Sequence, residues 1–164
     1  MKKALVVVDF QVKYLGDCLG IKPAEKMKNR VTEKINKCIA ENADLFFTLD
    51  SGVAYTVTAE PDREGEFLGA PQEVSRYFSY ARRVFEKDSY GSLELAECLR
   101  VGEYDKVEIV GLVSNICVIS NAVLAKTALP QARIVVDSSC TASGNTRLHK
   151  KALAVMKGLE IEII

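Results

Sequence analysis

Six runs of apolar, largely β-branched residues recur along the chain, at 4–8, 45–49, 83–85, 107–112, 133–136 and 159–164. Their hydrophobicity is continuous rather than alternating, which is the pattern of strands covered on both faces and therefore of a parallel sheet. Between them the period changes. Within 23–42, Met27, Val31, Ile35, Cys38 and Ile39 recur at helical spacing, and Pro23 suits a first turn. Helices are expected again over 93–101, 115–128 and 146–157, with Pro130 beyond the third and Gly158 as the stop of the last. Strands alternating with helices predict an α/β chain with a three-layer, Rossmann-like fold, a central parallel sheet of about six strands flanked by helices. The 164 residues fit a single domain spanning 1–164. Right-handed crossovers bring the carboxyl end of every strand to one edge, the edge at which such folds bind ligands.

Composition removes several classes of function. Basic and acidic residues balance at 22 each, so neither nucleic acid nor an anionic membrane surface is an expected partner. No apolar run approaches the roughly 18 residues of a membrane span. The start, MKKALVVVDF, turns charged at Asp9 before a signal-peptide core develops, and the expected compartment is the cytoplasm. Five cysteines, at 18, 38, 98, 117 and 140, form no C-x-x-C pair, which argues against a disulfide framework and against a zinc knuckle. With His149 as the one histidine, an imidazole-based metal site or a Ser-His-Asp catalyst is not expected, and neither is a cofactor.

Four side chains with chemical potential fall at or just past strand ends: Asp9, Asp50, Lys87 and Cys117. Cys117, in VGLVSNICVISNAV, lies about one turn into a helix whose expected N-cap is Ser114 or Asn115, where amide hydrogens and the helix dipole favour a thiolate. A carboxylate at Asp9 offers the base a thiol needs, and an ammonium at Lys87 offers a counter-charge. Each residue also has an ordinary reading. A free cysteine on an apolar helix is usually packing, an aspartate after a strand often bonds the next turn, and a lysine within Glu86-Lys87-Asp88 is normally solvated. Cys140, in DSSCTAS after a strand, reaches the same edge and competes as nucleophile, whereas Cys38 and Cys98 read as core. His149 reads as a helix-surface or capping residue. The polar stretch 50–80 has the length and composition of a lid, with Tyr77, Phe78 and Tyr80 as pocket wall or subunit interface.

Taken together, VVVDFQVKY, FEKDSYGS and GLVSNICV resemble the three signature segments of the isochorismatase-like cysteine hydrolases, the family that includes nicotinamidases and N-carbamoylsarcosine amidases. The resemblance implies Cys117 as nucleophile, Asp9 as proton-transferring base and Lys87 as their charged partner. It also implies a non-proline cis peptide between Leu112 and Val113, an oxyanion hole from the amides of Val113 and Cys117, and Tyr14 against the substrate ring. Nicotinamidases begin an Asp-x-His metal motif where this chain has Asp50, but here Gly52 stands at the histidine position. One aspartate does not hold a divalent metal, so no metal is expected and Asp50 reads as structural or as a polar substrate contact. Val12 and Lys13 replace the family's usual polar pair.

The implied activity is metal-independent hydrolysis of a small amide or carbamoyl compound through an acyl-enzyme, by a homo-oligomer, dimer or tetramer. Three alternatives stay open. One is vinyl-ether hydrolysis of isochorismate type, for which an acid at Asp9 suffices and the thiol that true isochorismatases tend to lack is unnecessary. Another is a catalytically silent member acting as an assembly subunit. The last is a phosphoacceptor domain, in which GLVSNICV would have no role.

Overall fold

The computed structural model describes residues 1–11, 14–15, 24–51 and 71–164. The chain runs β1 (Lys3–Val8), α1 (Ala24–Ala40), β2 (Asp44–Asp50), a short helix α2 (Gln72–Ser75), a 3-10 turn (Phe78–Tyr80), β3 (Arg83–Lys87), α3 (Leu93–Gly102) and β4 (Lys106–Leu112). A π turn (Ser114–Val118) continues into α4 (Ile119–Ala128), followed by β5 (Arg133–Ala142), α5 (Thr146–Gly158) and β6 (Glu162–Ile163). Pro23, Cys18, Val12, Lys13 and most of the expected lid, from Gly52 to Ala70, lie outside the described residues.

All six strands pair in parallel, in the order β3-β2-β1-β4-β5-β6. The strand order reverses between β1 and β4, and the crevice outside that point is where open α/β sheets accept ligands. The absence of alternation in the strands has a direct cause. Val6, Val8, Phe46, Ile109 and Ile134 pack with Leu99, Ala122 and Met156 on one side, while Leu5, Val7, Leu45, Phe47 and Val110 pack with Val31 and Ile35 on the other. Both faces of each strand are therefore covered, and each fully buried Val, Leu, Ile or Phe stabilises by roughly 1.5–3 kcal/mol.

Gly111 lets β4 approach β1 closely. Its φ is 117°, and a Cβ there would stand 2.0 Å from the carbonyl oxygen of Val8. Only glycine meets both conditions, and the residue that follows Val8 is Asp9.

Several expectations need correction. Gly158 is the last residue of α5 rather than the stop beyond it; the chain turns at Leu159 and at Glu160, whose φ is 61°. β5 does not end at Val136. Its pairing with β4 slips between Ile109 and Gly111, and the strand resumes at Thr141 and Ala142. Asp137 holds the irregularity by accepting from Ser139 N at 2.8 Å and from its hydroxyl at 2.7 Å. DSS is thus a bulge inside a strand, not its end. Tyr77 and Phe78 are not a surface strip: Tyr77 is buried and donates to Asn36 at 2.8 Å, and Phe78 meets Phe47 edge-on at 4.8 Å. Among those three aromatics Tyr80 alone is exposed. No described helix is long and apolar enough to cross a membrane.

Candidate active site

Asp9, Lys87 and Cys117 come from the ends of β1 and β3 and from the turn after β4, and they meet beneath the surface. Lys87 Nζ stands 2.6 Å from Asp9 Oδ2 and 3.6 Å from Cys117 Sγ, and it also donates to the carbonyl of Ser89 at 2.7 Å. Asp9 is 0% exposed and Lys87 7%. Desolvating both charges costs several kcal/mol per ion in general, so the pair persists only through close, well-partnered contact.

The local backbone explains how Asp9 arrives there. Its φ of 42° is left-handed, a conformation aspartate tolerates better than most residues, and it turns the chain at the strand end. Its N–H donates to the Thr48 carbonyl at 3.0 Å, and the Thr48 hydroxyl donates to Asp9 Oδ1 at 2.6 Å. One carboxylate oxygen is thereby fixed by β2, and the other faces Lys87.

The turn that carries Cys117 opens at a cis peptide between Leu112 and Val113. Val113 caps it with no side-chain bond, so neither expected N-cap serves: the Ser114 hydroxyl lies 2.9 Å from His149 Nδ1, and the buried Asn115 Oδ1 has no hydrogen-bond partner among the described residues. The carbonyl of Val113 accepts from Ile116 N at 3.0 Å and Val118 N at 3.1 Å, winding one π turn that carries Cys117 beyond the end of β4, the strand paired with β1. Burial, with Lys150 nearby, holds the His149 imidazole below its usual range.

Asp50 and Tyr14 form a second grouping at this edge. Asp50 is 1% exposed, its backbone clamped by Gln11, whose Oε1 accepts Asp50 N at 2.8 Å and whose Nε2 donates to Asp50 O at 3.1 Å. The Tyr14 hydroxyl donates to Asp50 Oδ2. Burial, then that bond, then the charges of Asp50, Cys117 and Asp9 push the phenol well above its ordinary range, which places Tyr14 among the same groups as the sulfur. Among the described residues no three of His, Cys, Asp and Glu converge as a metal would require.

Cys140 is brought elsewhere. It is 0% exposed and packs with Leu112 and Val113 on the α1 side of the sheet, whereas Cys117 packs on the opposite side. Burial pushes the Cys140 thiol up to about 11, as it does that of Cys38. Cys38 is core on the α1 side of the sheet, and Cys98 is half-buried against the core of the opposite side.

Two participants escaped the reading of the sequence. Thr48 interrupts the apolar run LFFTL, and a polar residue in a strand buried on both faces is itself the signal that something there must be bonded. Asn121 stands four residues after Cys117 on a helix face that is otherwise apolar, the same kind of signal. His149 also neighbours the turn, and nothing local in TRLHKKAL links it to Ser114.

The carboxylate can accept a proton from the thiol, the ammonium can hold the resulting negative charges together, and the turn presents backbone amides beside the sulfur. Fold and edge together define an α/β protein whose candidate site lies where the strand order reverses. The chain belongs to the isochorismatase family, matching the family model described as isochorismatase domain over residues 3–164. Its structure is similar to nicotinamidase PncA from Bacillus subtilis, with a TM-score of 0.83, 22% identity and 99% of each chain covered. It is also similar to nicotinamidase SaPncA from Staphylococcus aureus, with a TM-score of 0.79, 25% identity, 98% of this chain and 97% of that one. Pyrazinamidase of Pyrococcus horikoshii, solved in complex with zinc, matches with a TM-score of 0.76 and 21% identity, over 100% of this chain and 99% of that one. No curated protein sequence matches the chain significantly.

Proposed function

We propose that this family member is a cysteine-dependent amidohydrolase that cleaves a small amide or carbamoyl compound through a covalent acyl-enzyme, without a metal. The observation that carries the reading is the buried line of Cys117 Sγ, Lys87 Nζ and Asp9 Oδ2, at 3.6 and 2.6 Å, at the sheet's switch point. Asp9 takes the thiol proton, Cys117 attacks the carbonyl, and the amides of Val113 and Cys117 receive the oxyanion. Asp9 then returns the proton to the departing amine and, in the second half, accepts one from the water that releases the acid. Lys87 keeps both negative charges in place. Tyr14 and Asp50 line the substrate's side of the site, and their mutual hydrogen bond supports a role for Asp50 in substrate contact rather than metal ligation.

The neighbouring nicotinamidases and pyrazinamidase favour an amide over a vinyl ether, and so does the thiol itself, which vinyl-ether hydrolysis does not need. The test is a panel of small amides and ureido compounds assayed for ammonia release, run with the intact protein, with Cys117→Ala and with a chelator. Release abolished in Cys117→Ala and indifferent to chelator is the expected result. Full activity in Cys117→Ala would point to acid catalysis by Asp9, and chelator-sensitive release would contradict the metal-free reading.

A further inference from the structure

Lys87 and Cys117 are brought together from distant parts of the sheet. β3 is the edge strand, and β2 and β1 separate it from β4, so at a spacing of about 4.8 Å the ends of β3 and β4 lie roughly 14 Å apart. No strand pairing therefore fixes the contact between the ammonium and the sulfur. The loop after Lys87 does reach the helix after Cys117, and it does so at two points. Gly91 lies flat on α4, where a Cβ would stand 2.6 Å from Leu124 Cδ1 and 3.4 Å from Ser120 Cβ. Asn121 grips the loop on either side of that glycine, accepting from Ser92 N at 3.0 Å through Oδ1 and donating to the Tyr90 carbonyl at 3.2 Å through Nδ2. The same Nδ2 donates to the carbonyl of Cys117 at 2.8 Å.

One side chain, 2% exposed, thus bonds the backbone of the nucleophile candidate and the backbone of the loop whose Ser89 carbonyl holds the Lys87 ammonium. These bonds also fix the amide's orientation, because the Oδ1 and Nδ2 roles are not interchangeable against an N–H and two carbonyls. We infer that Asn121 is a positioning residue that sets the separation between Lys87 and Cys117, and through it the fraction of Cys117 present as thiolate. This inference rests on the proposed thiol chemistry. Among the described residues, the charged or titratable groups that face the sulfur are Lys87 from β3, Asp9 from β1 and Tyr14 beyond β1, and Asn121 hydrogen-bonds none of them.

The experiment is a pH titration of ultraviolet thiolate absorbance, each protein measured as the difference from its own Cys117→Ala counterpart so that the other cysteines cancel. It is run on the intact protein, Asn121→Ala, Asn121→Ser, Lys87→Met and Leu99→Ala. Leu99, buried in α3 in the same apolar cluster as Ala122, controls for loosening of the core around α4. The expected result is a Cys117 midpoint about one unit higher in both Asn121 variants, or about tenfold less thiolate at a given pH below it, with Leu99→Ala unchanged. Asn121→Ser keeps a hydroxyl able to reach the Cys117 carbonyl but cannot span to Ser92, so it decides the matter if Asn121→Ala does not fold. Unchanged midpoints in the Asn121 variants, or an equal rise in Leu99→Ala, would overturn the positioning role while leaving the proposed function standing. An intact protein whose Cys117 titrates near the free-cysteine value of about 8.5 and ignores Lys87→Met would overturn both.

Discussion

Cys117 and Cys140 are both buried thiols near the carboxyl edge of one sheet, on opposite faces of it, and what surrounds them differs in kind. Cys117 has an ammonium at 3.6 Å, a carboxylate behind it and the amides of a π turn around it. Cys140 has the Ser139 hydroxyl at 3.7 Å, and burial pushes its thiol up to about 11, with smaller, mutually opposed influences from Asp137, Lys34 and Arg30. Burial alone makes a cysteine inert, and it is a compensating cation that turns a buried thiol toward chemistry. The lysines teach the same lesson. Lys34 lies 2.6 Å from Glu108 and 2.7 Å from Asp137, and their hydrogen bonds outweigh burial to hold its ammonium above the usual range. That grouping ties α1 to β4 and β5 and so braces the fold.

The largest effect should separate the two thiols. Cys117→Ala is expected to lower ammonia release by about a thousandfold or more with little change in Tm, whereas Cys140→Ala should keep activity within a few-fold and lose about 1–2 kcal/mol by denaturant unfolding. Reversal of those two results would exchange the roles of the cysteines.

Next comes the ion pair. Lys87→Met removes the counter-charge of the buried Asp9, and is expected to cost about 3–5 kcal/mol and at least about a hundredfold in activity. Combining it with Asp9→Asn should recover most of the stability and none of the activity. A double variant that recovers both would mean that the pair is structural, like Lys34 and its partners.

How much of this was legible in the chain follows from how local each cause is. Continuous apolar runs announced a sheet covered on both faces because that pattern depends only on a strand's own residues. Asp9, Lys87 and Cys117 could be singled out because each sits at a strand end, where the topology of a parallel sheet fixes the location. The bulge in β5 could not, since it exists in the register with β4, and DSS reads equally well as a strand's end. Asn121 and Thr48 were overlooked for a related reason: their partners, Ser92 and Asp9, lie far away in sequence, and only their polarity on apolar faces hinted at them. His149 gave no sign at all, because its partner Ser114 belongs to a different element.

A smaller effect sharpens the picture of Asp9. Thr48→Val removes the hydroxyl that fixes Oδ1, and about a tenfold fall in kcat with KM little changed is expected, the cost of a charge-assisted hydrogen bond. No change would mean that β2 does not orient the base.

The smallest concerns His149. Its imidazole is held below the usual value of about 6.5 in the folded protein, so as the pH falls through that region the unfolded chain takes up the proton first. Its contribution is therefore complete above about 6.5 and declines toward the lower folded value. Glu108 and Asp137, also held low, lose theirs only at more acidic pH. Thermal melts of the intact protein and His149→Gln should differ in slope by about 1–2 °C across the weakly acidic range, with the variant flatter.

The account depends most on a bond forming at Cys117 sulfur. Rapid acid quench of the protein during turnover of a small amide, followed by mass analysis of its cysteine peptides, measures that bond directly. The account predicts an added mass equal to the acyl portion on the peptide bearing Cys117, removed by hydroxylamine as a thioester is. Turnover of the same amide with the Cys117 peptide unmodified, or with the adduct on Cys140, would contradict it.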